Sequence, residues 1–140
     1  MADFVKISDA TALALHSMVH LAMAPEEQFT TAEIADSFEA SRHHLAKVHQ
    51  KLKKAGLMES KRGPSGGVLL GRSPEQITLL EIYEVMEGEI VAQPCLFGHD
   101  VCPRSDCMLQ TLLPDLAERV RDYFKETTLA QLAEKTNWEG

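Results

Sequence analysis

Residues 30–72 change from a helical to an extended pattern, and this order constrains the fold more than any other feature of the chain. Thr30 or Thr31 is a typical N-cap for a short helix, TAEIADSF, and Ser41 for a longer one, RHHLAKVHQKLKKAG, which Gly56 ends. Two short segments, LMESKR and GVLLGR, then flank GPSG, a pattern typical of two strands joined by a tight turn. Helix, turn, helix and hairpin in this order predict a winged helix-turn-helix.

Further helices are predicted on both sides of this segment. Residues 8–24 follow a Ser/Asp cap with an apolar stripe, and residues 74–87 form a second capped, amphipathic segment expected to close the core. A short helix is predicted to start at Thr128, and Pro114 either kinks the amphipathic helix before it or lies near its start. One face of that amphipathic helix is apolar and consists of Leu109, Leu112, Leu113, Leu116, Val120 and Phe124.

A long apolar helix outside a small compact domain is typical of a dimer interface, although its face can instead pack within one chain. The predicted fold class is therefore mainly α with a small β-wing, followed by a long C-terminal dimerisation helix. We predict three parts: a winged helix-turn-helix domain over 1–90, a cysteine-containing loop over 91–107, and dimerisation helices over 108–140.

Basic residues are concentrated in the predicted helix-turn-helix and wing. Residues 41–72 carry eight Lys or Arg against the single acid Glu59, a net charge of +7, whereas the rest has six bases and twenty acids, −14. Phosphate binding depends on the local field, so the overall charge of −7 does not exclude nucleic acid. Double-stranded DNA is the expected partner, and a solvated basic helix face is the alternative.

The second helix of such a motif lies in the major groove with its N-terminal residues toward the bases. On the wing, glycines allow close approach to the sugar-phosphate chain, Lys61 is expected to contact phosphate, and Arg62 is long enough to enter the minor groove. The alternative for each is an ordinary exposed side chain. The candidate DNA-binding residues are Ser41, Arg42, His43, His44, Lys47, Lys61, Arg62, Gly63, Ser65 and Gly66.

Three cysteines, Cys95, Cys102 and Cys107, lie within thirteen residues rich in Gly, Pro and Asp, and the other 127 positions contain none. The N-terminus has no secretion-signal pattern and no apolar run could span a membrane, so we expect a cytoplasmic protein without membrane association. Reducing compartments keep thiols free for metals or redox chemistry. Neither a CxxC motif nor a base paired with a nucleophile is recognisable, so an enzyme or electron carrier is the least favoured class.

The chain resembles the Rrf2 family of bacterial winged-helix regulators over nearly its whole length. The resemblance is carried by KISDATALALHSMVHLA, LAKVHQKLKKAGLMESKRGPSGGVLL, PEQITLLEIYEVMEG, the three cysteines and TLAQL. It implies a homodimer crossed by a long C-terminal helix, a palindromic operator, and an iron-sulfur cluster (2Fe-2S or 4Fe-4S) ligated by the cysteines. Here six and four residues separate the cysteines, where the family pattern has five and five, and Val68 replaces a wing aromatic.

The fourth ligand is not apparent from the cysteine motif, because Gln110 stands where some relatives have a histidine. Some relatives take a ligand from the first helix of the partner subunit, which makes His16 the first candidate; Asp9, His99, Asp106 and water are the others. We expect a regulator whose operator affinity responds to oxidation, nitric oxide or iron-sulfur status through the cluster. A zinc site or a thiol switch on the same cysteines is the alternative.

Overall fold

The computed structural model describes residues 5–63, 66–91, 107 and 111–136. It is mainly helical with one antiparallel hairpin, as predicted. In the described residues, none of the helices has the length and hydropathy needed to cross a membrane. The elements are α1 (Asp9–Met23), α2 (Thr31–Ser37), α3 (Arg42–Lys54), β1 (Met58–Ser60), β2 (Val68–Leu70), a 3-10 turn (Pro74–Gln76), α4 (Leu79–Glu87), α5 (Leu112–Glu126) and α6 (Leu129–Lys135).

Hydroxyl side chains cap most of the helices, which explains why their starts follow from the sequence. Thr30 Oγ1 accepts a hydrogen bond from the Glu33 N–H while the Glu33 carboxylate accepts one from the Thr30 N–H, a reciprocal capping box. Ser41 Oγ accepts from the His44 N–H at 3.2 Å and thereby fixes the first turn of α3. Gly56, at φ +80°, follows the end of α3 as predicted.

The helix predicted from residue 74 begins later, at Leu79. Ile77 is extended, and the backbone on both sides of Thr78 pairs with the segment between α5 and α6. The Leu79 N–H donates to the Thr127 carbonyl and the Leu129 N–H donates to the Ile77 carbonyl, both at 2.8 Å. This pairing joins residues about fifty positions apart and removes residues 77 and 78 from the helix.

The wing is a short hairpin in which Met58 pairs with Leu70 and Ser60 pairs with Val68. The Val68 N–H also donates to the Phe29 carbonyl at 2.8 Å, which ties the wing to the segment between α1 and α2. Gly67 lies at φ +138°, and a Cβ there would be 3.1 Å from the Phe29 oxygen. The position therefore requires glycine for both conformation and space.

The main core lies between α1, α2, α3, the wing, α4 and α6. The predicted inward face of α3 is confirmed, because Leu45, Val48 and Leu52 are all buried. Leu129 of α6 is fully buried in the same core, so the C-terminal helix packs on the helix-turn-helix elements of its own chain. The start of α6 is thus part of the same core as the helix-turn-helix.

A second, smaller cluster joins α5 to α4. Ala117 is buried with Tyr83 and Ile90, and the partly buried Val120 and Phe124 pack against them. Pro114 lies in the first turn of α5, so the helix begins beside it rather than being kinked by it. The predicted single apolar face divides between two neighbouring stripes: Leu113, Val120 and Phe124 turn inward, whereas Leu112 and Leu116 are exposed by 44% and 39%. Leu109 of the predicted face lies outside the described residues.

Candidate nucleic-acid interface and sensor residues

The outward face of α3 carries the predicted base-reading side chains. Arg42, His43, His44 and Lys47 are all exposed, while the opposite face of the same helix is buried in the core. Ser41 is also exposed, but its hydroxyl is already used to cap the helix. Four polar or basic side chains in the first two turns therefore face the surface together.

Arg42 is held by a carboxylate of the preceding helix. Its Nε donates to Asp36 Oδ1 at 3.0 Å and its Nη2 donates to Asp36 Oδ2 at 2.6 Å. The hydrogen bond from Arg42 keeps the pKa of Asp36 below its usual value. The sequence predicted Arg42 as a DNA-binding residue but not Asp36 as its partner, because the contact depends on the conformation of the turn between α2 and α3.

The predicted wing residues lie around the hairpin turn. Arg62 and Gly63 are exposed and Lys61 is partly exposed, with the Lys61 N–H donating to the Gly67 carbonyl at 2.8 Å. Gly63 and Gly66 adopt φ of +136° and +60°, and the Gly66 N–H donates to the Gly63 carbonyl at 3.1 Å. Ser65 lies outside the described residues.

A buried histidine on α3, which the sequence reasoning missed, connects the first three helices. His49 Nδ1 lies 2.9 Å from Thr31 Oγ1, and His49 Nε2 lies 3.0 Å from Ser17 Oγ. The ring is 1% exposed and Ser17 is fully buried. Burial, with a smaller contribution from Lys53, lowers the pKa of His49 to about 4, so the ring is neutral at neutral pH. The sequence signal for its burial was its position next to Val48 on the inward face of α3.

Of the predicted cluster ligands, Cys107 and His16 lie within the described residues. Cys107 is a free, partly exposed thiol, whereas Cys95 and Cys102 lie outside the described residues. The exposed His16 ring places Nδ1 2.7 Å from the Ala12 carbonyl. A carbonyl oxygen only accepts, so Nδ1 is the donor in this contact, and in the neutral ring Nε2 is then the nitrogen with the lone pair.

Two other candidates for the fourth ligand, His99 and Asp106, lie outside the described residues. Asp9 is exposed and, with His16 and His44, lines a groove of about 620 Å³ between α1 and the start of α3. Within the described part of the chain, no three His, Cys, Asp or Glu side chains converge as a metal site.

The chain combines a helix-turn-helix and a glycine-rich wing with a cysteine-rich segment and two C-terminal helices. Its sequence matches a family model. The model is that of Rrf2, iron-dependent transcriptional regulators, and it matches residues 7–135. The chain belongs to the Rrf2 family. The predicted family and winged-helix fold are thereby confirmed, and so is the expectation that the protein is a DNA-binding regulator rather than an enzyme.

Individual Rrf2 proteins resemble the chain along most of its length. The transcriptional regulator IscR of Pectobacterium carotovorum is 31% identical over 121 residues, which are 85% of this chain and 73% of that protein. The structure of CymR, the global cysteine regulator of B. subtilis, has a TM-score of 0.79 and 30% identity and covers 95% of this chain and 99% of its own. The structure of IscR of T. potens supports the fold. It is 23% identical, has a TM-score of 0.75, and covers 97% of this chain and 94% of its own.

Proposed function

We propose that this Rrf2 protein is a homodimer that binds a palindromic operator, and that an iron-sulfur cluster on Cys95, Cys102 and Cys107 sets its affinity. The observation that carries the DNA-binding mode is the two-sided character of α3. One side is fixed in the core through Leu45 and Leu52, and the other presents basic and hydrogen-bonding side chains from its first two turns. A helix held in this way can enter the major groove without rearrangement.

The second copy in this proposal covers the outer stripe of α5. Leu112, Leu116 and Tyr123 are spaced by four and seven residues, so they share one face of the helix, and they are 44%, 39% and 61% exposed. Large apolar side chains aligned on an otherwise charged helix are typical of a helix-helix contact. A dimer also supplies two recognition helices, which must lie roughly 34 Å apart to enter successive major grooves.

The donor set fits a cluster. Thiolates are the preferred ligands of iron-sulfur centres, and in some clusters an imidazole completes the ligand shell. His16 is exposed with an available Nε2, and its Nδ1 is fixed by the Ala12 carbonyl, an arrangement common among metal-binding histidines. Cys107 lies four residues before the N-cap of α5, so loss of its ligand bond acts next to the proposed dimer helix. When bound, the cluster supplies a centre that oxidants or nitric oxide can damage.

A thiol switch or a zinc site on the same cysteines is the alternative, and the cysteine spacing of six and four residues, where the family pattern has five and five, favours it. Anaerobic purification followed by metal analysis and an absorption spectrum distinguishes the two. Iron, sulfide and visible charge-transfer bands that disappear in the triple variant with serine at 95, 102 and 107 support the cluster. A colourless protein with stoichiometric zinc, or with no metal, supports the alternative.

The DNA-binding mode is tested on the wing. Arg62→Ala should weaken binding to an operator duplex and make the dependence of log affinity on log salt less steep by about one unit. If six to ten phosphates are engaged, the parent slope is roughly −5 to −9. Lys125→Ala, which removes one positive charge at the end of α5, is the matched control and should change neither quantity. Equal behaviour of the two variants would contradict the proposed wing contact.

A further inference from the structure

The pair between Asp36 and Arg42 contributes little to stability. Its side chains are 55% and 66% exposed, and solvent screens ion pairs this accessible. The consequence of the pair is geometric. The pair joins α2 to the first residue of α3, and both carboxylate oxygens accept hydrogen bonds from one edge of the guanidinium.

The contacts divide the donors of Arg42 into two groups. Asp36 uses the Nε–H and one N–H of Nη2, the two parallel donors on one side of the guanidinium. The end of the guanidinium is not used by this carboxylate and keeps a second parallel pair, one N–H on Nη1 and one on Nη2. Parallel donors of this kind match O6 and N7 of guanine in the major groove.

We propose that Asp36 is a specificity-determining positioning residue, which holds Arg42 so that the free end of its guanidinium reads a guanine of the operator. This inference rests on the proposed DNA-binding mode, in which Arg42 is one of the base-reading residues. An arginine without a partner loses side-chain conformational entropy when it contacts a base. Because Asp36 already restricts the side-chain torsions of Arg42, less entropy is lost on binding DNA. The carboxylate acts on the base through Arg42 and does not itself contact it.

The two interpretations of this carboxylate predict different effects of removing Asp36 on the ratio of operator affinity to scrambled-duplex affinity. If Asp36 is only an acid near a DNA-binding surface, it repels phosphates, and its removal strengthens binding to every duplex. If Asp36 positions Arg42, its removal weakens binding to the operator relative to a scrambled duplex. The ratio of the two affinities separates the interpretations because it cancels the sequence-independent term.

The experiment first selects an operator from a random duplex library with the full-length, anaerobically purified protein. Affinities for that duplex and for a scrambled one are then measured at one fixed salt concentration. Asp36→Ala should lower the operator-to-scrambled ratio roughly three- to tenfold, the effect of leaving one long side chain unordered, and Asp36→Asn should lower it less. Glu39→Gln, which removes an exposed acid that forms no ion pair within the described residues, should leave the ratio unchanged.

A double-mutant cycle tests whether Asp36 acts through Arg42. In an Arg42→Ala background, removing Asp36 should no longer change the ratio, and selection with Arg42→Ala should lose the preference for one G·C pair in each half-site. The inference is overturned if Asp36→Ala leaves the ratio unchanged or if its effect persists without Arg42. If the parent selects no preferred sequence, the proposed operator binding fails as well, so the two failures are distinguishable.

Discussion

Acidification should destabilise the fold through His49. Its pKa is about 4 in the folded protein, against 6.5 as the ordinary value expected in the unfolded chain. Between these values the unfolded chain binds a proton that the folded chain does not, so the free energy of unfolding falls as the pH drops from 6.5 to 4 and levels off below. The full difference corresponds to about 3 kcal/mol, most of which should be lost between pH 7.5 and pH 4.5.

Urea unfolding of the parent and of His49→Gln across this range isolates the contribution. The variant retains a polar, hydrogen-bonding side chain but cannot titrate, so its stability should fall less steeply on acidification. His43→Gln, on the exposed face of the same helix, is the matched control and should follow the parent. His20, whose pKa burial also lowers against an opposing effect of Glu27, is present in all three proteins and cancels. Parallel curves for the parent and His49→Gln would refute the reasoning.

Three further changes have expected outcomes. Glu87→Gln weakens the acceptor of the hydroxyl hydrogen bonds at the start of α1 and should lower the free energy of unfolding by about 1–3 kcal/mol at pH 7 and by less in acid, because those bonds depress the Glu87 pKa. Gly71→Ala places a Cβ 2.1 Å from the Gly56 carbonyl oxygen and should lower the melting temperature by several degrees, measured by circular dichroism. Leu116→Glu should shift sedimentation toward the monomer, whereas Lys125→Glu on the same helix should not; a monomeric parent would contradict the dimer.

Local signals predicted the helix starts, and non-local contacts account for the differences. Ser41 caps α3 by accepting a hydrogen bond from the His44 N–H, so both partners lie within four consecutive residues. The start of α4 depends on Thr78 lying opposite Thr128, a pairing between distant segments that periodicity does not report. For α5, periodicity showed an apolar surface but not which of its two adjacent stripes packs on α4. The buried side chains there are Leu113 and Ala117.

The candidate site likewise has features that follow from local sequence and features that depend on contacts between elements. Outward residues of α3 follow from the helical period once Leu45 and Leu52 are placed inward, so the exposed face of the helix could be predicted. The partner of Arg42 could not, because it depends on how the α2–α3 turn brings Asp36 to within 2.6 Å. His49 was missed for a different reason: a histidine on an inward stripe is satisfied only if buried hydroxyls meet both ring nitrogens, and those come from α1 and α2.

Helix α1 contacts both the helix-turn-helix and the later helices of the fold. Its Ser17 is hydrogen-bonded to the His49 ring of α3, and its first turn is hydrogen-bonded to Glu87 at the end of α4. Helix α4 in turn packs on α5, where the Tyr83 and Phe124 rings lie 5.4 Å apart and Arg121 donates to the Ile90 carbonyl. The cysteine-containing segment connects the end of α4 to the start of α5. Among the described residues, α1 therefore links this helix pair to α3 through hydrogen bonds as well as apolar packing, because hydrogen bonds fix it at both Ser17 and its first turn.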